Sequence, residues 1–198
     1  MPSAARASNR DTVESLVAGL RRADPHAMRQ LFETYSKWIA YTLRRLLGND
    51  DELDDLVHDV FVDPLEAIDK LRDPAALPAW LKGIAVIRAK RRLQRQYRRR
   101  WLRFTANGEL PDVSSAPGDL EARVAFASIA HILDSMRPED RIAVLLYRVD
   151  GMTTDAGAKA MNVSVSTFKR RLARGERHLL KLAQRSALVR LWLSDRNR

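Results

Sequence analysis

The C-terminal stretch Met136–Lys181 decides the fold: MRPEDRIAVLLYRVDGMTTDAGAKAMNVSVSTFKRRLARGERHLLK. Its apolar residues recur with helical spacing in three short segments. Asp150-Gly151 separates the first two segments, and Asn162, a residue that tolerates a positive φ, separates the second from the third. The sequence therefore predicts helices at approximately 138–149, 153–161 and 164–186, with Thr153 or Thr154 and Ser164 as N-caps.

The third of these helices has two chemically different faces. Val165, Phe168 and Leu172 point inward by i, i+3, i+4 spacing. Hydroxyls and cations are left mostly outside: Ser166, Thr167, Lys169, Arg170, Arg171 and Arg174. Such a helix at the end of a three-helix unit is typical of a helix-turn-helix module, in which hydroxyls meet phosphates and cations reach base edges. The alternative is a solvated cationic helix in a bundle.

A second basic segment lies upstream, IRAKRRLQRQYRRRWLRF, at residues 87–104. Cations alternate there with the apolar and aromatic residues Leu93, Tyr97, Trp101 and Phe104. Stacking rings beside a positive groove are what single-stranded nucleic acid requires. Two alternatives stay open on the residues alone, an amphipathic helix on an anionic membrane surface and a solvated polybasic helix end.

An acidic segment precedes the basic one, DDELDDLVHDVFVDPLEAID, at residues 50–69. Asp55, His58 and Asp59 share one helical face. That face could bind a metal, be a solvated surface, or dock a basic protein. A metal site would need ligands from a second helix, and none are evident. We therefore expect neither a metal nor a cofactor.

Composition limits the class of protein. The chain has 198 residues, a net charge of +10, 45% hydrophobic residues and no cysteine. The charge indicates a polyanionic partner, and the lack of cysteine excludes disulfides and thiolate chemistry. No apolar run has the roughly 20 residues of a membrane span, and no signal-peptide core or nucleophile motif is present. We expect a cytoplasmic protein that is not inserted in a membrane and is not an enzyme.

The periodic segments predict an all-α protein of two small helical domains. A Gly-, Pro- and Ser-rich stretch without any period, residues 105–119, reads as a flexible linker. The domains then cover residues 1–104 and 120–198. In the first domain, Asp11 and Glu14 could form a capping box, Pro25 could open the second helix, and Gly48 with Asn49 could end it. Pro64 should kink the acidic helix or end it early.

In this order, the parts resemble a bacterial RNA polymerase sigma factor of the extracytoplasmic-function (ECF) group, which keeps only regions two and four. DDLVHDVF at residues 54–61 is similar to the family's polymerase-docking motif, and WLKGIAVIRAKRRL at residues 80–93 to its −10 segment. The residues from Arg137 to Glu176 are similar to region four, which reads the −35 element. The resemblance covers roughly residues 26–185.

The resemblance implies roles for particular residues. Binding of core RNA polymerase would fall to Asp55, Leu56, His58, Asp59 and Phe61. Contacts to −10 DNA would fall to Trp80, Arg88, Lys90, Arg91 and Arg95. Contacts to −35 DNA would fall to Ser166, Thr167, Lys169, Arg170 and Arg174. An anti-sigma protein is a further implied partner, beside polymerase and promoter DNA.

Four positions depart from the family pattern, and one of them is Pro64, which replaces a helical residue just after the docking motif. His58 stands where Gln is usual, and Ile87 stands where many members carry Asn near the melted strand. Gly157 replaces a core aliphatic residue, which should loosen its helix by about 1 kcal/mol. The function implied is that of a sigma factor directing core polymerase to promoters and starting DNA-templated transcription. The alternative is a helix-turn-helix regulator that binds DNA without replacing the sigma subunit.

Overall fold

The computed structural model describes residues 3–48, 50–107 and 130–183, and every regular element in that part of the chain is helical. The all-α prediction is therefore confirmed. The chain divides into two compact units, Met1–Ala89 and Lys90–Arg198. The predicted linker overlaps α4, the helix Leu77–Asn107, at residues 105–107, and its remainder lies outside the described residues.

The first unit is built from three helices and the start of a fourth. These are α1 (Ser3–Arg21), α2 (Pro25–Leu47), α3 (Leu53–Ala67) and the beginning of α4. Two short 3₁₀ turns, Ile68–Lys70 and Pro74–Ala76, join α3 to α4. Helix α2 packs against both α1 and α3.

The core of the first unit follows from the helical spacing of its apolar residues. In α2, Leu31, Ile39 and Leu43 are fully buried, as a stripe of i, i+8 and i+12 positions on one helical face should be. In α4, the side chains of Leu77 and Leu81 have no exposed surface, so the start of this helix belongs to the same core. Burial of side chains of this size contributes about 1.5–3 kcal/mol each.

The second unit contains the remainder of α4 and the C-terminal helices. Residues 130–135 form α5, followed by α6 (Pro138–Val144), α7 (Thr154–Ala160) and α8 (Val165–Ala183). Helix α6 continues as a π-helical turn, Leu145–Val149, in which the Asp150 N–H donates to the Leu145 carbonyl at 3.0 Å. Helix α8 packs against α6 and α7, so it is supported along its length.

Most of the predicted caps and turns are confirmed. Asp24 caps α2, with Pro25 in its first turn, and Gly48 ends that helix with φ 81°. Asn162 has φ 51° between α7 and α8, because the tight turn there needs a left-handed residue. Thr153 accepts the backbone N–H of Ala156 at 3.2 Å, as an N-cap does.

Two local predictions differ from the structure. The capping box at Asp11 and Glu14 is wrong, because α1 begins at Ser3 and both residues lie inside it. Pro64 does not end α3 early, because the helix continues as far as Ala67 and the 3₁₀ turn follows there; a kink at Pro64 stays a prediction. Asn49 and the side chains of Trp101 and Phe104 lie outside the described part of the chain.

Candidate nucleic-acid and polymerase-binding surfaces

The first turns of α8 present hydroxyls and cations to solvent. Ser166, Lys169 and Arg170 are exposed, and Thr167 is half-buried. Inward-facing Phe168 has no exposed surface and Leu172 has 7%. The amphipathic pattern read from the sequence therefore matches the orientation of these side chains, and the charged face remains available to a phosphate-bearing partner.

A small hydrogen-bond network organises the start of α8. The Ser164 hydroxyl accepts the backbone N–H of Thr167 at 3.2 Å, which confirms Ser164 as the N-cap. The hydroxyls of Ser166 and Thr167 lie 3.0 and 2.9 Å from that of Ser164. Three hydroxyls are thus held together at a helix N-terminus, where unpaired backbone donors favour anions.

Helices α7 and α8 meet at Gly157. A Cβ built on this glycine would lie 2.4 Å from Cζ and 2.6 Å from Cε2 of Phe168. The aromatic ring therefore occupies the space that an aliphatic side chain would otherwise fill. The expected loosening of α7 by Gly157 stays a prediction, and the structure adds that the missing side chain leaves room for Phe168 to pack.

Arg174 has a partner inside the module. Its Nη2 and Nε donate to the two carboxylate oxygens of Asp140 at 2.8 and 3.1 Å, and this hydrogen bonding raises the pKa of Arg174. The Asp140 side chain is only 8% exposed, whereas that of Arg174 is 36% exposed. A DNA contact by Arg174 stays a prediction, and the geometry ties its guanidinium to α6.

Helix α3 presents part of the predicted docking motif. Asp55 and His58 are exposed, and Asp59 is half-buried beside Arg88 of α4, with Oδ2 3.1 Å from Nη1. Leu56 and Phe61 are each 4% exposed, so they belong to the core of the first unit. The docking roles stay predictions, and the structure makes these two residues supports rather than surface.

The five residues predicted to contact −10 DNA all lie on α4. Trp80 and Arg88 are half-buried in the first unit, and Arg88 forms the pair with Asp59. In the second unit, Lys90 is half-buried, and Arg91 and Arg95 are exposed. The exposed cations can therefore reach a polyanion directly, whereas Arg88 would first have to leave its carboxylate.

The sequence interpretation missed exposed apolar residues next to the acidic face. Phe32 of α2 is 43% exposed, and its ring lies 5.1 Å from that of Phe61 in an edge-on arrangement. Val62 of α3 is 48% exposed. Both fit the helical apolar pattern, so only their position at the edge of the bundle distinguishes them from core residues.

The described residues contain no group of three or more His, Asp or Glu side chains that could hold a metal ion. Within the same part of the chain, no helix combines the length and the apolar character needed to span a bilayer.

Two family models match separate parts of this chain. Residues 31–101 match the family model "Sigma-70 region 2", and residues 126–179 match "Sigma-70, region 4". The chain is 26% identical to the ECF RNA polymerase sigma-E factor of Escherichia coli K12 over 172 residues, covering 82% of this chain and 90% of that protein. It is also 26% identical to RNA polymerase sigma factor NccH of Alcaligenes xylosoxydans xylosoxydans, covering 87% and 95%.

Two solved structures share the fold. CnrH, in complex with the cytosolic domain of CnrY, matches with a TM-score of 0.55 and 23% identity over 86% of this chain and 96% of that one. The sigma factor RpoE, in complex with the anti-sigma factor NepR from Bartonella quintana, matches with a TM-score of 0.53 and 20% identity. It covers 79% of this chain and 96% of that one.

Together the two family models span well over half of the chain, in the order that the sequence predicted. The chain belongs to the sigma-70 family of RNA polymerase sigma factors, as a member of the ECF type. Its function is therefore to direct core RNA polymerase to specific promoters, where DNA-templated transcription begins. A helix-turn-helix regulator acting without replacing the sigma subunit is not favoured.

Proposed function

We propose that three surfaces divide the work of this sigma factor. The exposed acidic face of α3 binds core polymerase, the cations of α4 contact −10 DNA, and the start of α8 reads the −35 element. The observation that carries the proposal is the amphipathic start of α8. Lys169 and Arg170 are exposed there, whereas Phe168 is fully buried. The protein acts by binding and positioning and is not an enzyme.

Polymerase docking is assigned to Asp55 and His58, with Asp59 beside them. The side chains of Asp55 and His58 are exposed on one face of α3 and are open to a basic partner. Leu56 and Phe61 hold that face in place from the core. The exposed side chains of Phe32 and Val62 add apolar area to this surface. Apolar area suits the centre of a protein interface better than charge alone.

Contacts to −10 DNA are assigned chiefly to Lys90, Arg91 and Arg95. Arg91 and Arg95 are exposed, so each can neutralise a phosphate and release a counterion. Trp80 is half-buried, which leaves part of its ring for stacking on an extruded base. Arg88 is assigned a DNA contact only after its pair with Asp59 opens.

At the −35 element, Ser166 and Thr167 bind backbone phosphate, and Lys169 and Arg170 reach base edges in the major groove. Arg174, whose guanidinium is held by Asp140, supports the helix from behind and has at most a secondary DNA contact.

We keep the domain boundaries at residues 1–104 and 120–198, with the linker at 105–119. The two family matches, residues 31–101 and 126–179, fall on either side of that linker and support this division. A linker of this kind lets the two domains occupy separate promoter elements. The protein works in the cytoplasm, where polymerase and template are.

An anti-sigma protein is proposed as the regulator. The solved structure of RpoE is described as a complex with the anti-sigma factor NepR, and that of CnrH as a complex with the cytosolic domain of CnrY. A protein inhibitor that covers the acidic and cationic surfaces would keep this chain from polymerase and promoter at once.

In vitro transcription with sigma-free core polymerase tests the proposal. We expect promoter-dependent initiation with the wild-type chain and loss of polymerase co-purification with Asp55→Lys. Asp69→Lys makes the same charge change at an exposed site outside α3 and should leave binding unchanged. Co-purification that survives Asp55→Lys would contradict the docking assignment.

A separate pair of variants tests the −35 assignment. Lys169→Ala combined with Arg170→Ala should abolish promoter selectivity and leave polymerase binding intact. Arg177→Ala, an exposed cation further along α8, is the control and should leave selectivity unchanged. Selectivity retained in the double variant would show that the reading surface is elsewhere.

A further inference from the structure

Two ion pairs of opposite polarity join α6 to α8 on either side of one close contact. Arg174 of α8 donates to Asp140 near the start of α6. Two residues further along α8, Glu176 accepts from Nε of Arg148 at 2.8 Å, and the guanidinium Nη2 also donates to the same oxygen. Helix α8 therefore contributes first a cation and then a carboxylate, and α6 with its π turn contributes the complementary charges.

The contact between the two pairs is Gly175. A Cβ at this position would lie 2.5 Å from Cγ2 of Val144 and 3.0 Å from the carbonyl oxygen of Asp140. The backbone of α8 thus lies directly on α6 at this point. Residues 174 and 176 stand on opposite flanks of the contact line, because consecutive helical residues are about 100° apart.

The partners on the other helix are far apart along its axis. Asp140 lies in the first turn of α6, and Arg148 lies in the π turn beyond its end. A π turn contains more residues than an α turn, which changes the direction in which Arg148 projects. One flank of α8 is therefore tied to the start of α6 and the other flank to its far end, and the crossing angle is constrained from both sides.

Charge also excludes the wrong arrangement. If α8 rotated so that residues 174 and 176 exchanged flanks, Arg174 would face Arg148 and Glu176 would face Asp140. Two like-charge contacts in half-buried positions would oppose that arrangement. The native rotation of α8 is thus specified by polarity as well as by shape.

The angle matters because the DNA-facing end of α8 lies well away from the contact. Ser166 is nine residues from Gly175, or roughly 13 Å along the helix axis. A tilt of about 15° at Gly175 would move the reading end by roughly 3.5 Å, which exceeds the length of a hydrogen bond. A small change at the crossing would therefore disconnect base contacts.

We propose that Asp140, Arg148, Arg174 and Glu176 are positioning residues for promoter recognition. They set the angle at which α8 presents Ser166, Thr167, Lys169 and Arg170 to DNA, and they act without contacting a base themselves. The inference rests on the proposed function of α8 in reading the −35 element.

A matched apolar replacement separates positioning from stability. Arg148→Met with Glu176→Met leaves the net charge unchanged, and buried ion pairs replaced by apolar residues of similar volume commonly keep or raise stability. We expect normal unfolding but about a tenfold fall in the ratio of −35 duplex affinity to scrambled-duplex affinity, the size of one lost base match. The salt dependence of binding should not change, because the phosphate contacts are retained.

A charge exchange provides the rescue. Arg148→Glu alone should reduce selectivity, and Arg148→Glu with Glu176→Arg should restore most of it, since the pair is rebuilt with its polarity reversed. Arg177→Glu, with the same charge change at an exposed position on α8, should lower affinity for both duplexes equally.

The outcomes separate this inference from the one on which it rests. If the wild-type chain does not distinguish the two duplexes at all, the proposed reading role of α8 fails. If the wild-type chain does distinguish them and the Met–Met variant distinguishes them equally well, the reading role stands and the positioning role is overturned.

Discussion

Replacing Gly157 by alanine tests the packing of the helix-turn-helix directly. Helix propensity alone predicts a gain of about 1 kcal/mol, because glycine is a poor residue inside a helix. The structure predicts the opposite sign. The new methyl group would be 2.4 Å from Cζ of Phe168, more than 1 Å inside an ordinary carbon–carbon contact, and this ring has no exposed surface into which it can turn.

Overpacking of a closed core costs about 1–3 kcal/mol, and a contact this short lies in the upper part of that range. After subtraction of the propensity gain, Gly157→Ala should lower the free energy of unfolding by about 1–2 kcal/mol. For a unit of this size, the Tm of the second unit should fall by roughly 5–10 °C. Urea unfolding followed by circular dichroism measures the loss, and amide hydrogen exchange of α7 and α8 locates it.

Two further variants make the reasoning refutable. Gly151→Ala introduces only backbone strain, since φ is 66° and nothing lies within 4 Å of its added methyl group. It should cost about 1 kcal/mol and show no coupling to residue 168. In a Phe168→Leu background, Gly157→Ala should become much less costly. A rise in stability for Gly157→Ala in the wild-type background would refute the steric account.

The remaining predictions concern charge. Arg174→Ala should destabilise the second unit by about 2–3 kcal/mol in urea unfolding, because it leaves Asp140 buried and unpaired; the value allows for the partial exposure of the arginine. Arg170→Ala, four residues earlier and exposed, should leave unfolding unchanged and weaken −35 binding instead. Burial raises the pKa of Tyr35, so its stabilising contribution is present below the unfolded-state pKa, near 10, and is lost as pH rises through the folded-state pKa. Tyr35→Phe should therefore flatten the loss of stability above about pH 10 in a pH series of unfolding curves.

Local chemistry made much of this fold predictable. Pro25, Gly48, Asn162 and Ser164 each have a backbone or capping preference that is independent of the remaining chain, and each lies where the sequence placed it. Asp11 has the same capping chemistry but lies within α1, because the helix continues on its N-terminal side. A capping residue indicates where a helix can begin, and it does not require the helix to begin there.

Long-range contacts were not accessible in the same way. The buried ring that packs on Gly157 belongs to Phe168, eleven positions away on the next helix. The family pattern alone therefore predicted only a loosened helix at this glycine, whereas the structure shows a close packing contact. The exposure of Phe32 is similar. Its helical position agrees with the apolar stripe of α2, and only the edge of the bundle leaves it open beside Phe61.

The clearest limit of the sequence concerns Arg170 and Arg174. They are one turn apart on α8, so helical periodicity gives them the same face and nominates both for DNA. The difference comes from Asp140, 34 residues upstream, which pairs with one of them. In the proposed function, the pair with Asp140 therefore makes Arg174 a support for α8, whereas Arg170 remains exposed to DNA. In a chain with 35 basic and 25 acidic residues, the reading surface is therefore determined by where the carboxylates pack, and not by the basic residues alone.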